Sequence, residues 1–134
     1  MINQLVKDKA ENSLCQTHAT DHKSCPVFLT LGLIANKWSV SLLHHLMNAG
    51  KKPMRFSQLQ KSMTGISQRE LSKHLKEFEK SGLVLRRAFP EVPPRVEYSL
   101  TPLGQSLLVP IEALAKWAEE HGEELQRNRL NATA

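Results

Sequence analysis

The sequence predicts a mainly α (α+β) fold: a run of short helices, a two- to three-stranded antiparallel ribbon, and one last long helix. Three observations carry this. GISQRELSKHLKEFEKS, residues 65–81, reads as a short helix with a polar, basic outer face. It runs directly into LVLRRAFPEVPPRVEYSLT, two extended segments around a proline-rich tip. On both sides of this join, apolar residues recur at helical spacing.

Taken in order, Pro26 suits a first helical position, with Cys25 as the N-cap. PVFLTLGLIAN then offers enough apolar side chains for a short buried helix ending near Asn36. A second helix begins around Lys37, where Trp38, Leu42, Leu43, Leu46 and Met47 share a face, and Gly50 closes it. Met54 and Arg55 suit a very short strand. Phe56 to Met63 is a third helix, with Phe56, Leu59 and Met63 on one side.

Thr64-Gly65-Ile66 is a tight connection. Ser67 caps the fourth helix, and Glu70 stands where a capping box needs it. Leu71, Leu75 and Phe78 form the inner stripe, and Gln68, Arg69, Ser72, Lys73 and Lys76 face outward. Leu83 to Phe89 and Arg95 to Thr101 are strands. In the second, Val96, Tyr98 and Leu100 alternate with Arg95, Glu97 and Ser99. Pro90, Pro93 and Pro94 stiffen the tip and deny it backbone donors.

Thr101 caps a last helix that starts at Pro102. Its apolar stripe, Leu107, Ile111, Leu114, Ala118, His121 and Leu125, is longer than a small core can cover. A second copy of the chain would bury the excess. Pro110 should bend or split this helix, because it removes a backbone donor.

With 134 residues the chain suits one domain with one modest core. The expected partition is an arm at 1–24, a domain at 25–121 and a tail at 122–134. Between Lys37 and Thr101 there are 12 Lys/Arg and 5 Asp/Glu, a net of +7, while the remainder is net −2. A basic centre between mildly acidic flanks suits a polyanion, chiefly nucleic acid. No signal-peptide core or membrane-length apolar run is visible, so no membrane partner and a cytoplasmic location are expected. The cysteines, Cys15 and Cys25, would then rest reduced.

Two helices joined at Gly65 make a helix-turn-helix unit. Its second helix would present Ser67, Gln68 and Arg69 to base edges, with Ser72 and Lys73 one turn on. Arg can pair with both guanine acceptors and Gln with adenine. Lys76 lies further along and suits phosphate. On the ribbon Arg86, Arg87 and Arg95 come into question. Adjacent strand residues face opposite ways, so Arg86 and Arg87 cannot both face the DNA, and Arg87 and Arg95 are taken as the ribbon contacts. Arg55 is a further candidate for the backbone.

Several stretches resemble the HxlR-type regulators, winged helix-turn-helix transcription factors related to the MarR group. They are CPV at Cys25–Val27, IANKWS at Ile34–Ser39, RFSQLQ at Arg55–Gln60, GISQRELSKHLKEFEKSGLV at Gly65–Val84 and PEVPPRVEYSLTPLG at Pro90–Gly104. The resemblance implies a homodimer held by its first and last helices on palindromic double-stranded operator DNA; a repressor is expected, although the sequence does not fix the direction of regulation. It makes Ser67, Gln68, Arg69 and Lys73 the major-groove readers and Arg95 the wing contact.

Cys25 has a chemistry of its own. Unpaired N–H groups at a helix N-terminus stabilise a thiolate, which reacts readily with oxidants and electrophiles. Several HxlR-type proteins sense quinones, aldehydes or oxidants with a cysteine at the matching place, so the resemblance implies a sensor role. The plain alternative is an inert cap. A rival use is metal binding, since Cys15, His18, His22 and Cys25 read as C-x2-H-x3-H-x2-C. A disulfide between Cys15 and Cys25, or between subunits, is a third. His44-His45 diverge on a helix and suit core and surface roles, and Trp38 and Trp117 suit anchors. No Ser/His/Asp set, carboxylate pair or phosphate loop marks an enzyme, and no cofactor is expected. The rival class is a winged-helix protein-interaction module.

Overall fold

The computed structural model describes residues 25–50 and 52–133. Five helices and three strands follow in the order α1 (Pro26–Ile34), α2 (Lys37–Asn48), β1 (Met54–Arg55), α3 (Phe56–Ser62), α4 (Gln68–Lys80), β2 (Val84–Phe89), β3 (Arg95–Leu100) and α5 (Pro102–Ala132). The sheet is antiparallel, with β3 between β1 and β2.

The helical stripes build the core. Leu42, Leu43 and Leu46 of α2 meet Leu59 of α3 and Leu71, Leu75 and Phe78 of α4. The inner sheet face closes it through Val84 and Tyr98, with Val96 and Leu100 packed alongside. From α5, only Gly104, Leu108 and Ile111 are buried. Phe78 has almost no exposed surface, so truncating it to alanine should cost about 3–5 kcal/mol.

The caps explain where the helices start. Asn36 Oδ1 accepts from the N–H groups of Trp38 and Ser39, which breaks the chain between α1 and α2. Ser67 Oγ accepts from the Glu70 N–H at 3.1 Å, but the expected return bond from the Glu70 side chain does not form. Thr101 Oγ1 accepts from the Gly104 N–H at 3.1 Å. At the end of α4, the Gly82 N–H reaches the Glu79 carbonyl and the Leu83 N–H the Phe78 carbonyl, a Schellman closure.

Two expectations need correction. First, α1 is not a buried helix. None of its residues is buried, and Val27, Phe28, Leu29 and Leu31 are exposed. It is apolar on every side, and only Leu33 and Ile34 at its end pack on the core. Second, Pro110 does not split the last helix, which runs unbroken through Ala132. Pro110 and Ser106 are both exposed, so the backbone bond that the proline removes is lost on the solvent side of the helix and not in the core. Residues 122–132, the expected tail, are helical and continue α5. Beyond Ile111 every residue of that helix is exposed or half-buried.

Candidate nucleic-acid interface

The α3–turn–α4 unit is built by the residues between Ser62 and Gln68. The Ile66 N–H donates to the Met63 carbonyl at 3.2 Å, and the Met63 and Ile66 side chains are buried. Gly65 takes a φ of +93°, a conformation side chains resist. These contacts leave the first turn of α4 projecting from the core.

On α4 the inner and outer faces separate cleanly. Leu71, Leu75 and Phe78 are buried, while Gln68, Arg69, Lys73 and Lys76 are exposed and Ser72 is half-buried. Arg69, Lys73 and Lys76 follow at i, i+4 and i+7, and Lys80 extends the row by another turn. Lys80 is a basic residue that the outward set Gln68 to Lys76 does not include, although its spacing from Lys76 is visible in the sequence. Among the described residues, none of these four cations lies within 4 Å of a carboxylate oxygen. Ser67 sits before them as an exposed cap.

The ribbon supplies a second basic surface. The register pairs Arg55 with Glu97 on one side and Arg87 with Glu97 on the other, and pairs Phe89 with Arg95. Directly paired residues share a face, so Arg55, Arg87 and Arg95 all lie on the side of the sheet away from the core. Arg86 pairs with Tyr98 and belongs to the opposite face. The structure therefore brings Arg55, Arg87 and Arg95 together.

Arg95 is the most engaged of the three. Its guanidinium lies 4.2 Å from the Phe89 ring centre, and that of Arg87 lies 5.8 Å from the same ring. Arg95 Nη2 is 3.2 Å from Glu91 Oε1, and Nε is 3.5 Å from Glu97 Oε1. Glu91, Glu97 and Phe89 were not among the sequence candidates. Alternation alone could have suggested Glu97, two residues along the same strand face. A cleft of about 400 Å³ opens beside Arg95, lined by Arg55 and Ser57 at the start of α3 and by Glu91 and Pro93 at the wing tip.

Cys25 stands at the N-cap of α1, as expected, but its side chain makes no capping hydrogen bond. It is buried and disulfide-bonded. Cys15, His18 and His22, the other members of the candidate metal set, lie outside the described residues. Among the described residues no group of His, Cys, Asp and Glu is arranged to hold a metal ion. His45 Nδ1 makes a 2.7 Å hydrogen bond with the Ser41 carbonyl oxygen, a local structural role. No single helix among the described residues is long and apolar enough to cross a membrane.

Comparison with known proteins bears on this arrangement. The HxlR-like helix-turn-helix family profile matches residues 33–126, from the end of α1 to well along α5. The chain belongs to the HxlR-like helix-turn-helix family. YdeP of Bacillus subtilis (strain 168), an HTH-type transcriptional regulator, is 39% identical over 107 residues, which is 80% of this chain and 81% of YdeP. A solved MarR-family transcriptional regulator from Enterococcus faecalis V583 shares 38% identity with a TM-score of 0.64, covering 83% of this chain and 98% of that one. The redox regulator HypR, solved in its reduced form, shares 35% identity with a TM-score of 0.66, covering 75% of this chain and 97% of HypR. HxlR-like membership makes this a transcriptional regulator with a DNA-binding helix-turn-helix and a winged, mainly helical fold. The proteins it resembles are regulators, not enzymes.

Proposed function

We propose that the chain is a cytoplasmic, sequence-specific repressor that binds a palindromic operator as a homodimer and is switched through Cys25. The observation that carries the DNA reading is the row Arg69, Lys73 and Lys76, without a carboxylate partner among the described residues, on a helix whose opposite face, Leu71, Leu75 and Phe78, is buried. Ser67, Gln68, Arg69, Ser72 and Lys73 address base edges from the first turns of α4. Lys76, Arg55, Arg87 and Arg95 address the phosphate backbone.

Two exposed apolar surfaces support the dimer. Val27, Phe28, Leu29 and Leu31 line α1, and Leu114, Trp117, Leu125 and Leu130 lie on α5 beyond the domain's own core. Apolar surface of that extent calls for a partner, and a second copy supplies both helices. Two copies would then present two α4 helices to successive major grooves, about one helical turn apart.

The disulfide-bonded state of Cys25 supports a thiol switch. HypR has been solved in both reduced and oxidised forms. Here the step would join two thiols as one disulfide, passing two electrons to an oxidant and releasing two protons. An electrophile would instead form a bond to the Cys25 sulfur. Because α1 is one of the two exposed apolar helices, a change at its first turn would alter how the dimer spaces its reading helices.

The test is binding to a duplex taken from upstream of the chain's own coding region, against a scrambled duplex of equal composition, across a salt series. Preference for the natural duplex, with affinity falling steeply as salt rises, is the expected result. Equal binding to both duplexes would remove the sequence-specific reading.

A further inference from the structure

The outer face of the sheet carries its own anions. Glu97 sits on the central strand, between Arg55 on β1 and Arg87 on β2, and its Oε1 lies 3.5 Å from Arg95 Nε. Glu91 holds the other end of the same guanidinium at 3.2 Å. Three further charged groups thus stand around the Arg95–Glu97 pair: Arg55 and Arg87 beside Glu97 on the flanking strands, and Glu91 on Arg95 from the tip.

The Arg95–Glu97 pairing is loose. Arg95 Nε is shielded from solvent, yet it makes no hydrogen bond. The Glu97 oxygen is close enough to attract it and too poorly aligned to satisfy it. Arg95 also lines the open cleft that Arg55 and Ser57 share, which is roomy enough for a phosphodiester group. A tetrahedral phosphate is a strong acceptor for guanidinium N–H groups. The two carboxylates occupy Arg95 where a phosphate would otherwise take it.

We propose that Glu97, assisted by Glu91, is a built-in competitor for DNA phosphate that holds Arg95 back and sets the affinity of the wing. This rests on the DNA-binding reading above. It identifies an affinity-setting residue of opposite charge to the ligand. A regulator that must release its operator gains from such a brake: removing it would strengthen non-specific binding as well as specific binding.

The experiment uses the full chain and a random-sequence duplex of about three helical turns, roughly 30 base pairs. Affinity is measured across a salt series for the wild type, Glu97→Gln, Arg95→Ala and the double variant. Glutamine keeps the size of Glu97 and loses its charge. Glu97→Gln should bind about threefold or more tightly at low salt, and its plot of log K against log salt should steepen by about 0.9, the effect of one further phosphate contact. In the Arg95→Ala background, Glu97→Gln should bring no steepening. An unchanged or weaker Glu97→Gln affinity, an unchanged slope, or a steepening that survives without Arg95 would each overturn the inference while leaving the DNA-binding reading intact. Absence of salt-dependent duplex binding by the wild type would overturn both.

Discussion

Thr101 Oγ1 donates to the Gly82 carbonyl oxygen at 2.6 Å, tying the first turn of α5 to the end of α4. The Thr101 N–H reaches the neighbouring Leu83 carbonyl at 3.1 Å. Gly104 completes the joint, because a Cβ there would fall inside the envelope of that same Leu83 oxygen. The helix with the long exposed apolar stripe and the helix with the basic row are therefore fastened at one point. Motion of α5 within a dimer would be passed to α4 through Thr101 and Gly104 on one side and Gly82 and Leu83 on the other.

The joint is testable by stability. Gly104→Ala must push α5 away from Leu83, and should lower unfolding free energy by about 1–3 kcal/mol, as overpacking generally does. Thr101→Val removes the cap and the bond to Gly82 and should cost about 1 kcal/mol or somewhat more. Denaturant unfolding of the two variants checks both. An unchanged Gly104→Ala midpoint would mean that the contact relaxes without cost.

Arg69 and Lys76 lie on one row of α4 but should fail differently. Arg69→Ala should lose about 1–3 kcal/mol on the preferred duplex and little on a scrambled one, relaxing sequence preference. Lys76→Ala should weaken both duplexes alike and flatten the salt dependence by about 0.9. Competition binding with the two duplexes separates these outcomes.

The order of elements was legible because the signals were local. Pro26, Ser67, Thr101 with Pro102, and the stripe of Leu71, Leu75 and Phe78 each act within a turn or two of their own positions. The buried expectation for α1 failed for a different reason. Hydrophobicity reports that a surface must be covered, and cannot say whether the same chain covers it. The apolar run predicts that α1 ends near Asn36, and the side chain of that residue also starts α2. The surroundings of Arg95 depend on strand register across a proline-rich tip, which alternation along one strand does not determine. Alternation separates Arg86 from Arg87, but only the register places Arg87 with Arg95, and Arg55 joins them through its pairing with Glu97.

The apolar stripe of α5 separates assembly from folding. Trp117 is half-exposed and lies beyond the last buried residue of α5, Ile111. Trp117→Glu should shift the protein from dimer to monomer in sedimentation at micromolar concentration, while the monomer keeps its helical content. A variant that stays dimeric would place the dimer contact elsewhere.

The redox reading predicts that a thiol oxidant changes operator affinity in the wild type and that dithiothreitol restores it. Cys25→Ser should not respond to the oxidant. A Cys25→Ser protein that responds as the wild type does would remove Cys25 from the switch.

Recognition of a symmetric DNA site by two copies of α4 is read most directly by selection from a randomised duplex pool, using the full chain under reducing conditions. The selected sequences should share an inverted repeat whose half-site centres lie about one helical turn, roughly 10 base pairs, apart, and Arg69→Ala should blur one position in each half. A pool that emerges without an enriched motif, or with a single unpaired half-site, would contradict the dimeric reading of DNA by α4.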